Sequence, residues 1–417
     1  MSNIIYRRDT CRLCGSKTLS LAFSLTPTPP ANAFIKKELL DKTQETYPLE
    51  LCQCKNCGHI QLLDVVNPEV LFKNYLYVSG TSDVFVQHFK NYAYETISEY
   101  EIKENSLVID IGSNDGTLLK IFKEKGMKVL GIEPAINLAN LSKRNGIETI
   151  NEFINIEVAD QILKQYGTAN VVTANNVFAH IDDLSSAMKG IKNILSEDGV
   201  FIFEVSYFID VLENNLFDTI YHEHLDYHTL KPLTKFFELF EMKIIKATRV
   251  KTHGGSIRVA VKNNHESFDI NSSVYDLIRL EESKEIYKIE TLKDYSKSID
   301  NIRLSLVDLL KKIKKDDKTI AGYGAPAKAT TLMYHFDINQ NIIDFIVDDS
   351  EHKQNLYTPG MHIPILSCEE IYKLHPDYLI ILAWNFAEPI IKKHSEYISM
   401  GGKFIIPFPC PAIIDRN

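Results

Sequence analysis

Two stretches of the chain alternate short apolar runs with longer amphipathic ones, and a segment of helical period and high charge lies between them. In residues 106–264 the apolar runs fall at 107–111, 129–132, 171–173 and 200–205. In residues 316–417 they fall at 319–321, 342–347, 378–382 and 403–406. Continuous apolar runs separated by helix-length stretches predict parallel strands with helices on both faces. The expected fold class is therefore α/β, with two doubly wound, Rossmann-like units of unequal size. Residues 272–315 contain no Gly or Pro and mix both charges densely, which predicts one or two long helices joining the units. Residues 1–105 lack the alternation. The expected division is 1–105, 106–264, a connector at 265–315, and 316–417.

At 417 residues the chain exceeds what one core normally holds, in keeping with several domains. A formal net charge of −9 disfavours nucleic acid and anionic membrane surfaces as partners, while leaving room for a local basic pocket. No run of about 18 apolar residues is present, so no membrane span is expected. Residues 1–9 (M-S-N-I-I-Y-R-R-D) lack the apolar core of a secretory signal, and a cytoplasmic location is expected.

That location changes the meaning of the cysteines. Five of the seven precede residue 60, and in a reducing compartment such clustering points to metal rather than disulfides. Cys11 and Cys14 form one C-x-x-C pair and Cys54 and Cys57 a second, each followed by glycine, Gly15 or Gly58. Four thiolates around one ion make a closed, tetrahedral, structural Zn2+ site. Cys52 and His59 lie close in sequence and are assigned to packing or surface. A zinc ribbon used on nucleic acid is the alternative role, which the acidic chain opposes.

Residues 106–119 (S-L-V-I-D-I-G-S-N-D-G-T-L-L) form a buried strand that turns through glycines into a helix. Asp110 lies near the strand's end, and Gly112, Asn114 and Gly116 lie in the turn. Glu133 ends the next strand, where a carboxylate can accept hydrogen bonds from ribose hydroxyls. The G-S-N-D-G turn with this acid resembles the first motif of class I methyltransferases, which implies S-adenosylmethionine as cofactor. Asn175 and Asn176, just past the strand at 171–173, fall on the same rim. Farther along, His180 follows that rim, and Tyr221, His222, Glu223 and His224 stand in a row. In an extended segment His222 and His224 would share one face, and in a turn the four would converge differently. Histidine can remove a proton next to a carbonyl, and tyrosine or a second histidine can stabilise the enolate. A zinc-binding H-x-H pair is the competing use.

With these pieces in order, the whole chain resembles the sugar C-methyltransferase family. The pieces are the two cysteine pairs, T-P-P-A-N-A-F at 28–34, G-H-I-Q-L at 58–62, Y-L-Y-V-S-G at 75–80, the G-S-N-D-G turn, Y-H-E-H at 221–224, H-G-G-S at 253–256 and G-Y-G-A at 322–325. The resemblance implies a zinc-binding N-terminal domain, a central class I methyltransferase domain and a C-terminal Rossmann-like domain. It implies a nucleotide-linked 4-keto-6-deoxy sugar as partner, methylated on carbon through an enolate. By resemblance His224 is the base, and Tyr221, Glu223, His180 and Tyr75 position the sugar or stabilise the enolate, with Tyr77 an equal alternative to Tyr75. His253, Ser256 and Arg258 offer a flexible turn and a cation to phosphates. Gly324 and Lys328 open a helix after a strand and suit an anion. Asp348 and Asp349 end the next strand, as a ribose-binding acid would. Two enzymatic alternatives stand beside this one. An O- or N-methyltransferase on the same sugars would need no enolate. A nicotinamide-dependent sugar oxidoreductase would use the C-terminal turn, where Ala327 takes the third glycine's place, but would leave the G-S-N-D-G turn without a role.

Overall fold

A computed structural model describes residues 4–72, 75, 77–81, 83–264 and 269–415. Leu76 of the Y-L-Y-V-S-G motif lies outside the described residues. The chain folds into two compact units, each built from three separate segments. Unit one comprises Met1–Ser20, Gln53–Ile209 and Leu225–Tyr287, and unit two Leu21–Cys52, Asp210–His224 and Lys288–Asn417. Both units thus draw on more than one of the stretches that the sequence pattern separates. No helix of the described residues is long and apolar enough to cross a membrane.

Unit one carries a seven-stranded sheet, β1 (Leu107–Ile111), β2 (Lys128–Ile132), β3 (Thr149–Ile150), β4 (Ala169–Asn175), β5 (Leu195–Ser206), β6 (Met242–Val250) and β7 (Ser256–Asn263). The spatial order is β3-β2-β1-β4-β5-β7-β6. The first five are parallel, and β7 runs antiparallel between β5 and β6. The order reverses at β1, so connections leave β1 and β4 in opposite directions and open a crevice at their carboxyl ends. Helix α1 (Asp83–Glu99) buries Phe85, Phe89, Tyr92 and Ala93, one helical face, against Leu118, Leu119 and Phe122 of α2 (Thr117–Glu124) and the strands' Val108, Val171 and Ile202. On the other side Phe201 and Phe203, two apart on β5, stack with each other at 5.4 Å, and Phe178 covers Phe203 at 4.9 Å.

The charged segment after this sheet forms two helices, α3 (Ser272–Ser283) in unit one and α4 (Ile289–Lys315) in unit two. Neither is merely a solvated spacer. Helix α4 buries Leu292, Tyr295, Ile299, Ile302, Leu306, Leu310 and Ile313, a stripe of three- and four-residue steps. Helix α3 buries the carboxylate of Glu281, which accepts from Tyr207 Oη (2.9 Å), from Tyr287 Oη, and from the Leu230 and Lys231 amides (2.5 and 3.0 Å). Those amides are orphan donors of the helix Leu230–Glu238, so a distant acid caps it.

Unit two holds β8 (Ile320–Tyr323), β9 (Ile346–Val347), β10 (Ile365–Leu366), β11 (Tyr378–Ile381), β12 (Lys403–Ile406) and β13 (Ala412–Ile414), in the order β10-β9-β8-β11-β12-β13. All are parallel except β13. The apolar run at 342–347 yields a strand only at its end. Ile342 and Ile343 are buried in a turn, their amides bonded to the Asn339 carbonyl at 2.9 and 3.0 Å. Helix α5 (Ala327–Phe336) follows β8.

Removing the Glu281 carboxylate strands two tyrosine hydroxyls and two helix amides in the interior. Glu281→Ala is expected to cost about 3 kcal/mol in denaturant unfolding, with Glu281→Gln costing less. Unchanged stability in Glu281→Ala would refute the capping role.

Candidate active site

In unit one, the carboxyl end of β1 turns sharply at Gly112, whose φ is +66°. A Cβ there would meet the Val177 side chain at 2.3 Å, so both the conformation and the space require glycine. The turn is held by Glu133 at the end of β2. One carboxylate oxygen accepts from the Asn114 amide and the other from the Ala135 amide, each at 2.8 Å. Burial pushes the Glu133 carboxyl above its ordinary range, and these two bonds oppose that shift. Asp110 on β1 is buried and accepts from Thr173 Oγ1 at 2.6 Å. Desolvation, opposed by the Thr173 bond and reinforced by Glu133, pushes its carboxyl up to about 7. Asn175 ends β4 with both side-chain polar atoms buried and without a hydrogen bond of normal geometry. Asn176 follows with φ +56°, its amide bonded to the Glu204 carbonyl (2.7 Å). Gly116 caps α2. A rim with a doubly held acid and an unsatisfied buried amide has the donors and acceptors that a nucleoside cofactor needs.

A strap crosses this turn. Asn114 takes the Ser79 amide (3.0 Å) and gives to the Tyr77 carbonyl (3.0 Å), Asp115 takes the Gly80 amide (3.1 Å), and Asn137 exchanges two bonds with the Tyr75 backbone (3.2 and 2.8 Å). The two tyrosines go different ways. The Phe72 ring lies against Tyr75 (5.7 Å) and against His180 (5.5 Å), whereas Tyr77 faces Phe85, which in turn carries His253 at 4.7 Å.

Sequence patterns did not single out Glu204 on β5, although a lone acid inside the run F-I-F-E-V was a signal. Its buried carboxylate accepts from Thr252 Oγ1 (2.7 Å) and Arg258 Nε (3.1 Å) and meets His88 Nε2 at 3.0 Å. The His88 bond and charge, with Arg258, hold its carboxyl below the usual range despite burial. Arg258 also bonds Glu95 at 2.8 Å, so this cation is already engaged. Ser256 Oγ closes the H-G-G-S turn onto the Thr252 carbonyl (3.1 Å).

In unit two the Y-H-E-H segment is a turn, not an extended run: the His224 amide bonds the Tyr221 carbonyl at 2.9 Å. The pairing is therefore between Tyr221 and His224. Their rings lie 4.1 Å apart, with Tyr221 Oη 3.0 Å from His224 Nε2. His224 Nδ1 lies 2.8 Å from the Thr219 carbonyl, which can only accept, so Nδ1 carries a proton and, in the neutral ring, the lone pair is on Nε2. His222 points elsewhere, to the Tyr47 carbonyl at 3.2 Å, and burial lowers its pKa to about 4. Glu223 accepts from Asn32 Nδ2 at 2.7 Å, a partner from the T-P-P-A-N-A-F motif. At the β8 turn, Gly324 takes φ +85°. Asp348 accepts from the Ala325 amide (2.6 Å) and Asp349 bonds Lys393 (2.6 Å). Lys328 is half-buried, bonds Asn385 Oδ1 at 2.7 Å and lies 4.5 Å over the Trp384 ring.

The four predicted cysteines meet in unit one. Their sulfurs lie within 4.8 Å of one another, with Cys11–Cys57 and Cys14–Cys54 at 3.6 Å. A tetrahedral Zn–S site with bonds of about 2.3 Å has sulfurs about 3.8 Å apart, so the set fits zinc. The two knuckles are built alike, the Gly15 and Gly58 amides each closing on the first cysteine's carbonyl at 2.9 Å. Cys52 is outside this cluster, and His59 is buried with Nε2 2.6 Å from Asp226 Oδ1.

Comparison with known proteins adds three family models. The zinc binding domain matches residues 11–72, the methyltransferase domain 85–247 and the C-methyltransferase C-terminal domain 251–409. The chain is 33% identical over 417 residues, 100% of its length and 99% of the relative's, to C-methyltransferase NovU of Streptomyces niveus. It is 27% identical over 99 residues, 23% of this chain and 40% of the relative, to the ubiquinone biosynthesis O-methyltransferase of Colwellia psychrerythraea. Among solved structures it is similar to an S-adenosylmethionine-dependent methyltransferase from Clostridium acetobutylicum, at 15% identity over 44% of this chain and 94% of that one, with a TM-score of 0.36.

Two outcomes follow from this geometry. Cys57→Ser should bind less than stoichiometric zinc by atomic absorption and lose about 4 kcal/mol or more of stability. Wild-type zinc content and melting would contradict the site. Asp110, with a folded pKa of about 7, lies above the unfolded value of about 4, so its stabilising contribution is complete below the lower value and is lost as pH rises through the higher. In the cofactor-free protein Asp110→Asn should remove that falling limb, on the order of 2 kcal/mol at pH 8. A melting profile of unchanged slope would exclude it.

Proposed function

The chain belongs to the C-methyltransferase family, and on that premise we propose that it methylates a carbon of a nucleotide-linked 4-keto-6-deoxy sugar through an enolate. It is S-adenosylmethionine-dependent and carries zinc. Bound S-adenosylmethionine supplies the electrophilic methyl group that the enolate carbon takes. On this proposal Asp110, Gly112, Asn114, Gly116, Glu133, Asn175 and Asn176 hold the cofactor. The acid of β2 receives the ribose hydroxyls on lone pairs that the two amide bonds leave open. Residues 1–105 then serve as the zinc-binding part, 106–264 as the cofactor part, 265–315 as the connector and 316–417 as a part that helps hold the substrate.

The observation that supports the base assignment is the fixed tautomer of His224. With Nδ1–H committed to the Thr219 carbonyl, Nε2 is the basic nitrogen, and at rest it accepts from the Tyr221 hydroxyl at 3.0 Å. With substrate bound, that hydroxyl would turn to donate to the ketone oxygen, Nε2 would take the C–H proton to become an imidazolium, and the enolate oxygen would be stabilised by the Tyr221 hydrogen bond. Glu223, oriented by Asn32, accepts a sugar hydroxyl. His180 and Tyr75, which share the Phe72 ring, orient the acceptor. His222, neutral and tied to a backbone carbonyl, is a packing residue on this proposal. His253, Ser256, Gly324 and Lys328 serve the nucleotide, with Lys328 as the cation for its phosphates, whereas Arg258, foreseen for that role from the sequence, is held by Glu204 and Glu95. Zinc is structural and takes no part in proton transfer.

The test is a panel of nucleotide 4-keto-6-deoxy sugars in heavy water, read by mass spectrometry. Deuterium should enter next to the ketone without cofactor, and a carbon-methylated product should form with it. His224→Ala should bind S-adenosylmethionine as the wild type does while exchange and transfer both fall by about a thousandfold or more. Transfer without any exchange would point to an oxygen or nitrogen acceptor, and full activity in His224→Ala would remove the base assignment.

A further inference from the structure

Arg12 stands between the first two cysteines of the zinc cluster, yet its fully buried side chain leaves the knuckle altogether. Nε donates to Asp182 Oδ1 at 2.9 Å, and Nη1 donates to the Leu62 carbonyl at 2.6 Å and reaches the Leu225 carbonyl at 3.5 Å. Asp226 Oδ2 lies 3.8 Å from Nε, and the other Asp226 oxygen holds His59 at 2.6 Å. The Arg12 amide donates to Gln61 Oε1 (2.9 Å), which ties the knuckle to the strand Ile60–Leu62.

The three segments reached by this guanidinium also bond one another. The Leu62 amide meets the Leu225 carbonyl at 2.9 Å, and the Leu225 amide meets the Ala179 carbonyl at 2.7 Å. One of these segments carries His180 two residues before Asp182, and another begins one residue after His224. We infer that Arg12 is a positioning residue, through which the zinc knuckle sets the backbone of both segments adjoining the reacting groups. The roles of His180 and His224 rest on the function proposed above.

The physical case is the shape of the cation. A planar fork with five donors can serve a carboxylate and two carbonyls at once, whereas a lysine ammonium on the same stem can serve one point. Arg12 lies between Cys11 and Cys14, which a shared ion would hold together, so on this inference zinc bears on the geometry of these segments as well as on stability. A misplacement of about 1 Å near a reacting group can cost about a hundredfold in rate.

Three variants test this, Arg12→Gln, Arg12→Lys and Asp182→Asn. Asp182 also accepts from Arg8 at 3.1 Å and from Tyr6, and it is partly exposed, so its change leaves the cysteines untouched. The readouts are zinc by atomic absorption, hydrogen–deuterium exchange of peptides spanning 178–182 and 225–228, the S-adenosylmethionine dissociation constant, and kcat against KM. In all three, zinc should stay at one per chain and cofactor affinity within about twofold, while amide exchange at 178–182 quickens by about tenfold or more. In Arg12→Gln kcat should fall about 10- to 100-fold with the KM for S-adenosylmethionine unchanged, and Arg12→Lys should recover part of it.

Wild-type exchange in zinc-replete Arg12→Gln overturns the inference, as does faster exchange with wild-type kcat. Should Arg12→Gln fail to hold zinc, Asp182→Asn decides, and unchanged exchange there is fatal. Should the wild type methylate no sugar of the panel, the function proposed above fails, while the exchange data still judge Arg12.

Discussion

A parallel sheet ends at its carboxyl edge in backbone amides that no neighbouring strand can satisfy, and this protein meets that need twice with a buried carboxylate. Glu133 accepts the Asn114 amide of the turn after β1 and the amide two residues beyond itself. Asp348 does the same after β8, taking the Ala325 amide at 2.6 Å and the Ser350 amide at 2.8 Å. Each acid ends the second strand of its unit, beside the point where strand order reverses. In unit one this bond fixes the backbone of Asn114, whose side chain holds Tyr77 and Ser79. The two cases then diverge in charge. Lys353 lies 3.7 Å from Asp348 and donates to the Ala325 carbonyl, whereas no cation pairs with Glu133 among the described residues. An acid left uncompensated suits neutral diol donors, and one already facing an ammonium suits them less.

His224 in unit two, the base we propose, depends on a different set of supports. The segment leading into Tyr221 is fixed by Thr331 Oγ1 donating to the Ile220 carbonyl (2.9 Å) and by Trp384 Nε1 donating to Asp218 Oδ2 (2.7 Å). Asp218 is wholly buried, and desolvation raises its carboxyl pKa, with Lys328 and the Trp384 bond opposing the rise. This costly acid precedes Thr219, whose carbonyl sets the His224 tautomer. On the proposed role of His224, the C-terminal sheet and its first helix would bear on the chemistry by holding this carbonyl in place.

Much of this was legible in the sequence because the relevant signals are local. Continuous apolar runs marked β1, β2, β4 and β5, and the C-x-x-C-G repeats marked four sulfurs that do converge. Strands of two residues, Thr149–Ile150 and Ile365–Leu366, are too short to show a period. The antiparallel pair β6 and β7 is rich in Lys and Arg and reads as surface. Helices α3 and α4 were visible as helices, but their charge hid a seven-residue buried stripe on α4 and a buried acid on α3. The Y-H-E-H segment exposed the limit most clearly. The turn pairs residues three apart, which an extended reading of the same letters separates. Asn32 and Glu204 act through partners far away in sequence, and Thr219 through a turn that brings its carbonyl to His224 five residues on, so only the fold reveals them.

Charge balance also sorts the candidates for the nucleotide's phosphates. Arg258 was attractive as a fixed cation beside a glycine turn, but Glu204 and Glu95 already surround it, and its guanidinium lies 4.2 Å over the Tyr92 ring. A phosphate there would displace or face two carboxylates. Lys328 has no ion pair within 4 Å among the described residues, and its contacts are a neutral amide and an aromatic face. Burial lowers its pKa and the more distant Asp218 opposes the shift, which is the state of a cation awaiting a counter-ion. An anion near Lys328 would favour its charged form without breaking the Arg258 network, so of the two, Lys328 is the cation we propose for the phosphates.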